Sequence, residues 1–317
     1  MTTTADSLAI ETHGLARSFG DVRAVTALDL AVGRGEMFGL VGPDGAGKST
    51  AIRLLCGILK PTGGSGRVLG LDLESQAERV KSRVGYLSQS FTLYGDLSVD
   101  ENIEFFAHLH GVRDFRPARD RLLEFTRLAP FRRRLGDALS GGMKKKLALA
   151  CTLIHTPEII FLDEPSTGVD PVSRGEFWNI LSEIQEQGVT IFLTTPYLDE
   201  AERCHRIGLM HRGGLLLGGT PDEVKAAIPG KIYRLESPSP ARAYQLLREH
   251  WPPTRLVLYG DGVSFWTDRG EAEARAAVDL LQRAGLSPAS FQEISPSLED
   301  VFVGLLGDAS AEGKGPL

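Results

Sequence analysis

The residues Gly42-Pro43-Asp44-Gly45-Ala46-Gly47-Lys48-Ser49 fit G-x-x-x-x-G-K-[ST], a spacing suited to cradling a polyphosphate. Glycines let successive backbone N–H groups turn inward, and a helix starting near Lys48 adds the positive end of its dipole. Lys48 is expected to reach the β- and γ-phosphates of a nucleoside triphosphate, Ser49 to ligate Mg²⁺, and Thr50 to touch the α-phosphate. A second element is Asp163-Glu164, where the apolar run Ile159–Asp163 ends. An aspartate there can hold Mg²⁺ through water, and the next carboxylate can polarise a water for in-line attack on the γ-phosphate. Taken singly, one acidic pair is a strand-end cap; beside a phosphate loop it reads as chemistry. A third element, Leu139-Ser140-Gly141-Gly142-Met143, opens a run with apolar residues at helical spacing. Ser140 suits an N-cap, and Gly141 and Gly142 leave backbone N–H groups bare. Beside the other two elements it reads as a second phosphate-binding site, more naturally presented to the nucleotide of a second subunit than to its own loop.

These groups need a scaffold that brings strand ends together. From Leu8 to about Gly218, β-like apolar runs alternate with helical patterns, which predicts an α/β domain with a largely parallel sheet. Met37–Val41 reads as one buried strand, Ile159–Asp163 as another and Val189–Thr194 as a third, the last preceded by a helix over Ser173–Gln187. Between about Leu97 and Met143 the strands stop, which predicts an inserted helical subdomain. Its portion Gly111–Lys146 holds 11 cations, from Arg113 to Lys146, against Asp114, Asp120, Glu124 and Asp137. Such a run is either a solvated helical face or a surface for anionic lipid headgroups or an acidic partner. After Ile228-Pro229-Gly230 the texture changes. Strands are expected at Lys231–Glu236, Arg255–Tyr259 and Val263–Thr267, and helices at Ala241–His250, Glu271–Ala284 and Leu298–Leu306. The expected organisation is therefore a nucleotide-binding domain over 8–228, a small α+β domain over 231–306 and a disordered tail over 307–317.

Composition bounds the class. The chain has 317 residues, more than one ordinary domain, and 42% hydrophobic and 24% charged residues, ordinary for a soluble protein. A net charge of −6 argues against a protein whose task is coating nucleic acid. The cysteines Cys56, Cys151 and Cys204 are too widely spaced for a disulfide framework or a zinc pattern, which suits a reducing compartment. The apolar runs fall short of the roughly 20 residues that cross a bilayer, and the opening MTTTADSLAI lacks a signal-peptide pattern. A cytoplasmic, soluble chain is expected.

With these motifs in this order, residues 8–220 resemble the nucleotide-binding subunit of an ATP-binding cassette (ABC) transporter. The resemblance implies a P-loop NTPase cassette, with a RecA-like core sheet plus the helical subdomain, binding ATP and Mg²⁺. It makes Gly42–Thr50 the Walker A loop and Ile159–Glu164 the Walker B strand, with Lys48 and Glu164 in catalysis and Ser49 and Asp163 toward the metal. Gln89, in Leu87-Ser88-Gln89-Ser90, resembles the glutamine that touches both Mg²⁺ and the attacking water. Leu139–Met143 resembles the signature motif, with Met143 where Gln is commonest, and Ser166-Thr167-Gly168-Val169-Asp170 the D-loop. Phe19 stands where such proteins stack an aromatic ring on adenine, although an ordinary strand-end Phe fits too. The family implies a head-to-tail dimer with two ATP molecules between P-loop and signature, peripheral on the inner face of the cell membrane.

Two further residues depart from the family pattern. Where the family carries T-H-x-x-x-E-A, this chain reads Thr194-Thr195-Pro196-Tyr197-Leu198-Asp199-Glu200-Ala201, so Pro196 replaces the switch histidine. Proline has neither a side-chain donor nor a backbone N–H. By comparison with a deleted oxyanion donor, the loss costs about 2–4 kcal/mol of transition-state stabilisation, so normal binding and slow hydrolysis are expected. Asp44 stands where Asn is commoner, and is harmless if it points away or caps the loop. Other branches fit less well. Translation factors carry two cassettes in one chain, and DNA-repair relatives place a long coiled coil where only residues 51–138 stand here. The stretch Leu93–Phe106 and the segment Ser295-Pro296-Ser297-Leu298-Glu299-Asp300-Val301-Phe302 resemble ATPases paired with ABC-2-type export permeases. Phe91 and Tyr94 would then lie where a permease helix docks. The alternative is a soluble regulatory ATPase that uses the ATP-closed dimer as a switch without a permease.

Overall fold

A computed structural model describes residues 8–90, 93–227, 230–286, 288 and 290–311, with 306–311 as backbone only. The chain divides into two compact units, residues 1–218 and 219–317.

The first unit opens with a long hairpin, β1 (Leu8–Phe19) and β2 (Val22–Gly33), then β3 (Met37–Val41) and α1 (Lys48–Leu55). Two short strands, β4 (Gly63–Val68) and β5 (Leu71–Asp72), precede α2 (Ala77–Lys81) and β6 (Val84–Leu87). The helical insertion follows as α3 (Val99–Leu109), α4 (Arg116–Phe125) and α5 (Gly141–Leu153). The chain then returns to the sheet through β7 (Ile159–Asp163), α6 (Pro171–Glu186), β8 (Thr190–Thr195), α7 (Leu198–Ala201), β9 (Arg206–His211) and β10 (Gly214–Gly219).

The ten strands form one sheet in the order β5-β4-β1-β2-β10-β9-β3-β8-β7-β6. Its β9-β3-β8-β7-β6 half is parallel. Strands covered on both faces must be apolar throughout, and β3 and β7 are buried at every position. Phe38, Phe192 and Phe161 stand side by side across β3, β8 and β7, with ring centroids 5.4 and 5.7 Å apart. Each such pair contributes about 0.5–1.5 kcal/mol beyond its buried area. Because these strands run parallel and in register, Val41 and Asp163 end at the same edge, where α/β proteins bind ligands.

In the helical insertion Ser98 and Glu101 close a capping box at the start of α3. Buried Asn102 fixes the segment before it. Its amide nitrogen donates to the carbonyls of Tyr94, Leu97 and Ser98, and its oxygen accepts from the Tyr94 N–H at 2.9 Å. A separate core of Val99, Ile103, Leu123, Leu147 and their neighbours holds α3, α4 and α5 together.

The second unit contains α8 (Pro221–Ala226), β11 (Lys231–Glu236), α9 (Pro240–Arg248), β12 (Leu256–Leu258), β13 (Gly262–Thr267), α10 (Glu271–Arg283), β14 (Ser290–Ile294) and α11 (Leu298–Ala311). Its four-stranded antiparallel sheet runs β12-β13-β11-β14 over a core that includes Leu235, Leu247, Phe265 and Leu281. Two boundaries differ from those read in the sequence. The division falls at residues 218/219 rather than near 228, because α8 packs with α11 in the second unit. Helix α11 runs through Ala311, five residues into the segment expected to be disordered, where Ala309 and Ala311 favour helix.

Candidate nucleotide-binding site

Beyond β3 the loop turns sharply into α1, and two of its glycines have no substitute. A Cβ on Gly42 would stand 2.1 Å from the Met210 carbonyl oxygen, and one on Gly47, at φ 103°, would stand 2.2 Å from that of Ala24. The loop is fastened by Gly42 N–H to the Thr195 carbonyl at 3.3 Å and by Gly213 N–H to the Ala46 carbonyl at 2.8 Å. No side chain caps the start of α1 and no acid lies in its first turn. Its N–H groups therefore remain available to an anion at the positive end of the helix.

Around this loop lies a cleft of about 590 Å³. Residues Asp44 to Thr50, Gln89, Glu164, Thr167, Pro196 and Tyr197 line it. Lys48 is 3% exposed; its Nζ donates to the carbonyls of Gly42 (2.8 Å) and Pro43 (3.1 Å) and stands 3.2 Å from Glu164 Oε1. Glu164 is tied on its other side, where Gln89 Nε2 donates to Oε2 at 2.9 Å. Its backbone has φ 48°, uncommon for a residue with a side chain, and its N–H donates to the Thr194 carbonyl and Oγ1, both at 3.1 Å. The turn after β7 is thus locked so that the Glu164 carboxylate faces the loop. Phosphate oxygens entering the cleft would take over Lys48 from Glu164.

Asp163 Oδ1 accepts from Ser49 Oγ at 3.0 Å and from Thr194 Oγ1 at 2.7 Å. Its Oδ2 is buried and has no hydrogen-bond partner among the described residues. An orphaned carboxylate oxygen is costly unless something binds it. With the Ser49 hydroxyl and the Gln89 amide nearby, this hard-oxygen donor set fits Mg²⁺.

The remaining sequence candidates are placed as follows. Phe19 is 46% exposed at the β1–β2 turn, with the Arg17 guanidinium 4.6 Å from its ring, and is paired in register with Val22, which lines the cleft. Ser140 caps α5 by accepting the Met143 N–H at 3.3 Å. Ser140, Gly141 and Gly142 do not line the cleft; Gly141 and Gly142 lie instead beside Gly168 and Ser173, at the D-loop segment and the start of α6. Asp44 is exposed at the cleft and makes no hydrogen bond among the described residues, so it does not cap the loop. Tyr94 is 43% exposed and packs on Phe105 with centroids 4.6 Å apart, whereas Phe91 lies outside the described residues. Neither His205 nor His155 stands in for Pro196. His205 Nδ1 accepts the Met37 N–H at the opposite end of β3, and His155 pairs with the Val84 carbonyl.

Several groups escaped the sequence reading. Thr194 bridges both carboxylates' segments, and Lys145 reaches the Gln89 carbonyl at 3.3 Å. Burial pushes the Lys145 ammonium down, while Asp163 and Glu164 act the other way. Glu200, 1% exposed, accepts from Arg174 Nε (2.7 Å), Thr195 Oγ1 (2.6 Å), Trp178 Nε1 (3.3 Å) and the Ser166 hydroxyl. That carboxylate joins the segment after Glu164 to the residue before Pro196. The only signal in the sequence was the E-A pair itself, with nothing to say what it touched. All three cysteines are buried, which pushes their thiols up, that of Cys204 to about 12. Among the described residues no cluster of His, Cys, Asp and Glu could hold a metal by itself, and no helix is long and apolar enough to cross a membrane.

A glycine loop at a parallel strand end, running into a bare helix N-terminus with a lysine and an acidic pair, defines a P-loop nucleotide-binding α/β protein. The family model described as ABC transporter matches residues 25–167. The chain is 36% identical over 315 residues to the daunorubicin/doxorubicin resistance ATP-binding protein DrrA of Streptomyces peucetius, covering 96% of this chain and 94% of that one. It is 46% identical over 219 residues to the probable multidrug ABC transporter ATP-binding protein YbhF of Escherichia coli strain K12. That match covers 68% of this chain but spans 38% of YbhF. Among solved structures, cbiO1 from Clostridium perfringens, part of the ABC transporter complex cbiONQ, is similar with a TM-score of 0.65 and 27% identity over 70% of this chain and 92% of that one. The chain belongs to the ATP-binding proteins of ABC transporters, a family of ATPases.

Proposed function

We propose that this chain is the ATP-binding subunit of an ABC-2-type export system, working beneath a separate membrane permease as one half of a head-to-tail nucleotide-binding dimer. The observation that carries it is the convergence of Lys48, Ser49, Gln89, Glu164 and Pro196 on one cleft, with Asp163 beneath it. The likeness to the Nod factor export ATP-binding protein I of Rhizobium sp. strain N33, 36% identical over 305 residues and 95% of this chain, supports export as the process.

In this reading the N–H groups of Gly45–Thr50 and the Lys48 ammonium hold the β- and γ-phosphates. Ser49, Gln89 and Asp163 hold Mg²⁺, which would neutralise charge developing on the phosphates. Glu164, released by Lys48 when phosphate enters but still tied to Gln89, polarises the attacking water. Ser140–Gly142 complete the site of the partner subunit, which agrees with their absence from their own cleft. Pro196 leaves the γ-phosphate one donor short, so ATP closes the dimer and hydrolysis reopens it slowly. Tyr94 and Phe105, both exposed and packed on one another, would receive the permease.

Size measurement of the Glu164→Gln variant tests the arrangement. With MgATP this variant should bind nucleotide, lose turnover by about 10²-fold or more, and run as a dimer, while adding Ser140→Arg should return it to monomer. A Glu164→Gln protein that binds MgATP yet stays monomeric would sink the sandwich.

A further inference from the structure

We propose that the outer face of the helical subdomain, carried by Arg113, Arg116, Arg121, Arg133 and Arg134, is a docking surface for anionic lipid headgroups. The proposal rests on the reading of this chain as a subunit working beneath a permease.

The charge of the chain is strongly segregated. Residues 111–146 hold 11 cations and 4 acids, a balance of +7 within a chain whose net charge is −6. The fold sorts ten of those cations into two groups, and the eleventh, Lys145, donates to the Gln89 carbonyl at 3.3 Å. Arg119 and Arg132 are consumed internally: Arg132 pairs with Asp100 (3.0 Å) and Asp120 (2.8 Å), and Arg119 with Asp120 (3.2 Å) and Asp100 (3.7 Å). Arg127 and Lys146 pair with Glu176, and Lys144 with Asp137. By contrast Arg113, Arg116, Arg121, Arg133 and Arg134 are all exposed and have no ion pair among the described residues.

The internal pairs also bring Arg121, Arg133 and Arg134, three of these five arginines, near one another. Arg132, flanked by Arg133, is bolted to Asp120, which is flanked on α4 by Arg121, and the Arg134 carbonyl accepts the first N–H of α3 at 3.0 Å. The same subdomain also exposes apolar side chains, Leu109 at 66%, Leu135 at 50% and Phe105 at 38%. The net charge of −6 disfavours nucleic acid as the partner. Arginines mixed with exposed aliphatic and aromatic side chains suit a headgroup layer, where cations meet phosphate and apolar side chains enter the acyl boundary. Each arginine at an anionic surface strengthens binding by roughly fivefold.

Vesicle flotation of the full chain, without permease, tests this directly. Wild type should bind vesicles containing phosphatidylglycerol, ignore pure phosphatidylcholine, and be released by salt. Replacing Arg113, Arg116, Arg121, Arg133 and Arg134 together by Gln should weaken binding by about 100-fold or more, with MgATP binding and hydrolysis unchanged, which also reports that the variant folds. Replacing the exposed Arg242, Arg248 and Arg283 by Gln should leave vesicle binding as it was. The proposal is overturned if wild type ignores anionic vesicles, or if the two sets of substitutions weaken binding equally. Either result leaves the ATPase reading standing, since hydrolysis is measured on the same samples; loss of MgATP turnover in wild type would instead strike that reading and leave lipid binding intact.

Discussion

Replacing Pro196 by histidine should make this protein a faster ATPase. Pro196 lines the cleft with Gln89, Glu164 and Lys48, and the backbone on either side of it is already fixed. Thr195 offers its carbonyl to Gly42 N–H (3.3 Å) and its hydroxyl to Glu200 (2.6 Å), and Tyr197 N–H donates to Thr195 Oγ1 (3.0 Å). An imidazole placed there starts from a defended position and adds one donor to a site that otherwise has its parts. One preorganised donor is worth about 2.7–4 kcal/mol in a transition state. At 1.36 kcal/mol per decade, kcat should rise about 100-fold to 1000-fold. KM for MgATP should move little, because in the proposed arrangement Lys48, Ser49 and the loop amides do the binding. The substitution also frees the unfolded chain, at about 0.4–1 kcal/mol. Position 196 lies between β8 and α7, so no regular element is broken. Steady-state hydrolysis and a thermal melt on the same preparation measure both terms. A kcat within about threefold of wild type, or a gain confined to KM, would refute the reasoning, and a self-sufficient homodimer would become the better description.

Other outcomes follow from single contacts. Gly47→Ala should abolish MgATP binding by fluorescence titration while the second unit still unfolds normally, because its Cβ would meet the Ala24 carbonyl at 2.2 Å and its φ is 103°. Glu200→Ala should cost about 3 kcal/mol in urea denaturation, the low end for a broken buried pair because Arg174 keeps Asp199; a loss below about 1 kcal/mol would mean the buried carboxylate is dispensable. His110 and His155 stack with centroids 4.0 Å apart, and burial holds both imidazoles below their ordinary range, with the His110 charge adding to the effect on His155. The unfolded chain therefore binds these protons first as pH falls below about 6.5. Their contribution is complete above that pH and is lost on acidification, so His155→Gln should flatten the fall in melting temperature between about pH 7 and pH 5.5; an unaltered slope would remove the pair from the account.

How much was written in the sequence depends on the range of the interaction. The phosphate loop was legible because its chemistry is local: consecutive backbone amides, a helix start and a lysine within residues 42–50. β3 and β7 were legible because a strand covered on both faces must be apolar at every position, as MFGLV and IIFLD are up to the closing Asp163. The helical insertion showed itself in the same way, by a change of period. Boundaries drifted where the deciding contact was distant. Packing of α8 on α11 moved the unit boundary toward residue 219, and no local signal in residues 219–230 announces it.

The sequence by itself determined which groups are offered to the proposed site: Lys48, Ser49, Asp163 and Glu164, and the absence of a donor at Pro196. Tertiary structure decided what those groups meet. Register across β7 and β8 puts Thr194 opposite Asp163, and the left-handed turn at Glu164 aims its carboxylate at Lys48. The burial of Glu200 among four donors and the division of the arginines into paired and free are likewise properties of packing. The physical reason is the same throughout. Residue type fixes which proton, charge or lone pair is available, whereas partners from residues 30 or 75 positions away are supplied only when the sheet brings its strand ends to one edge.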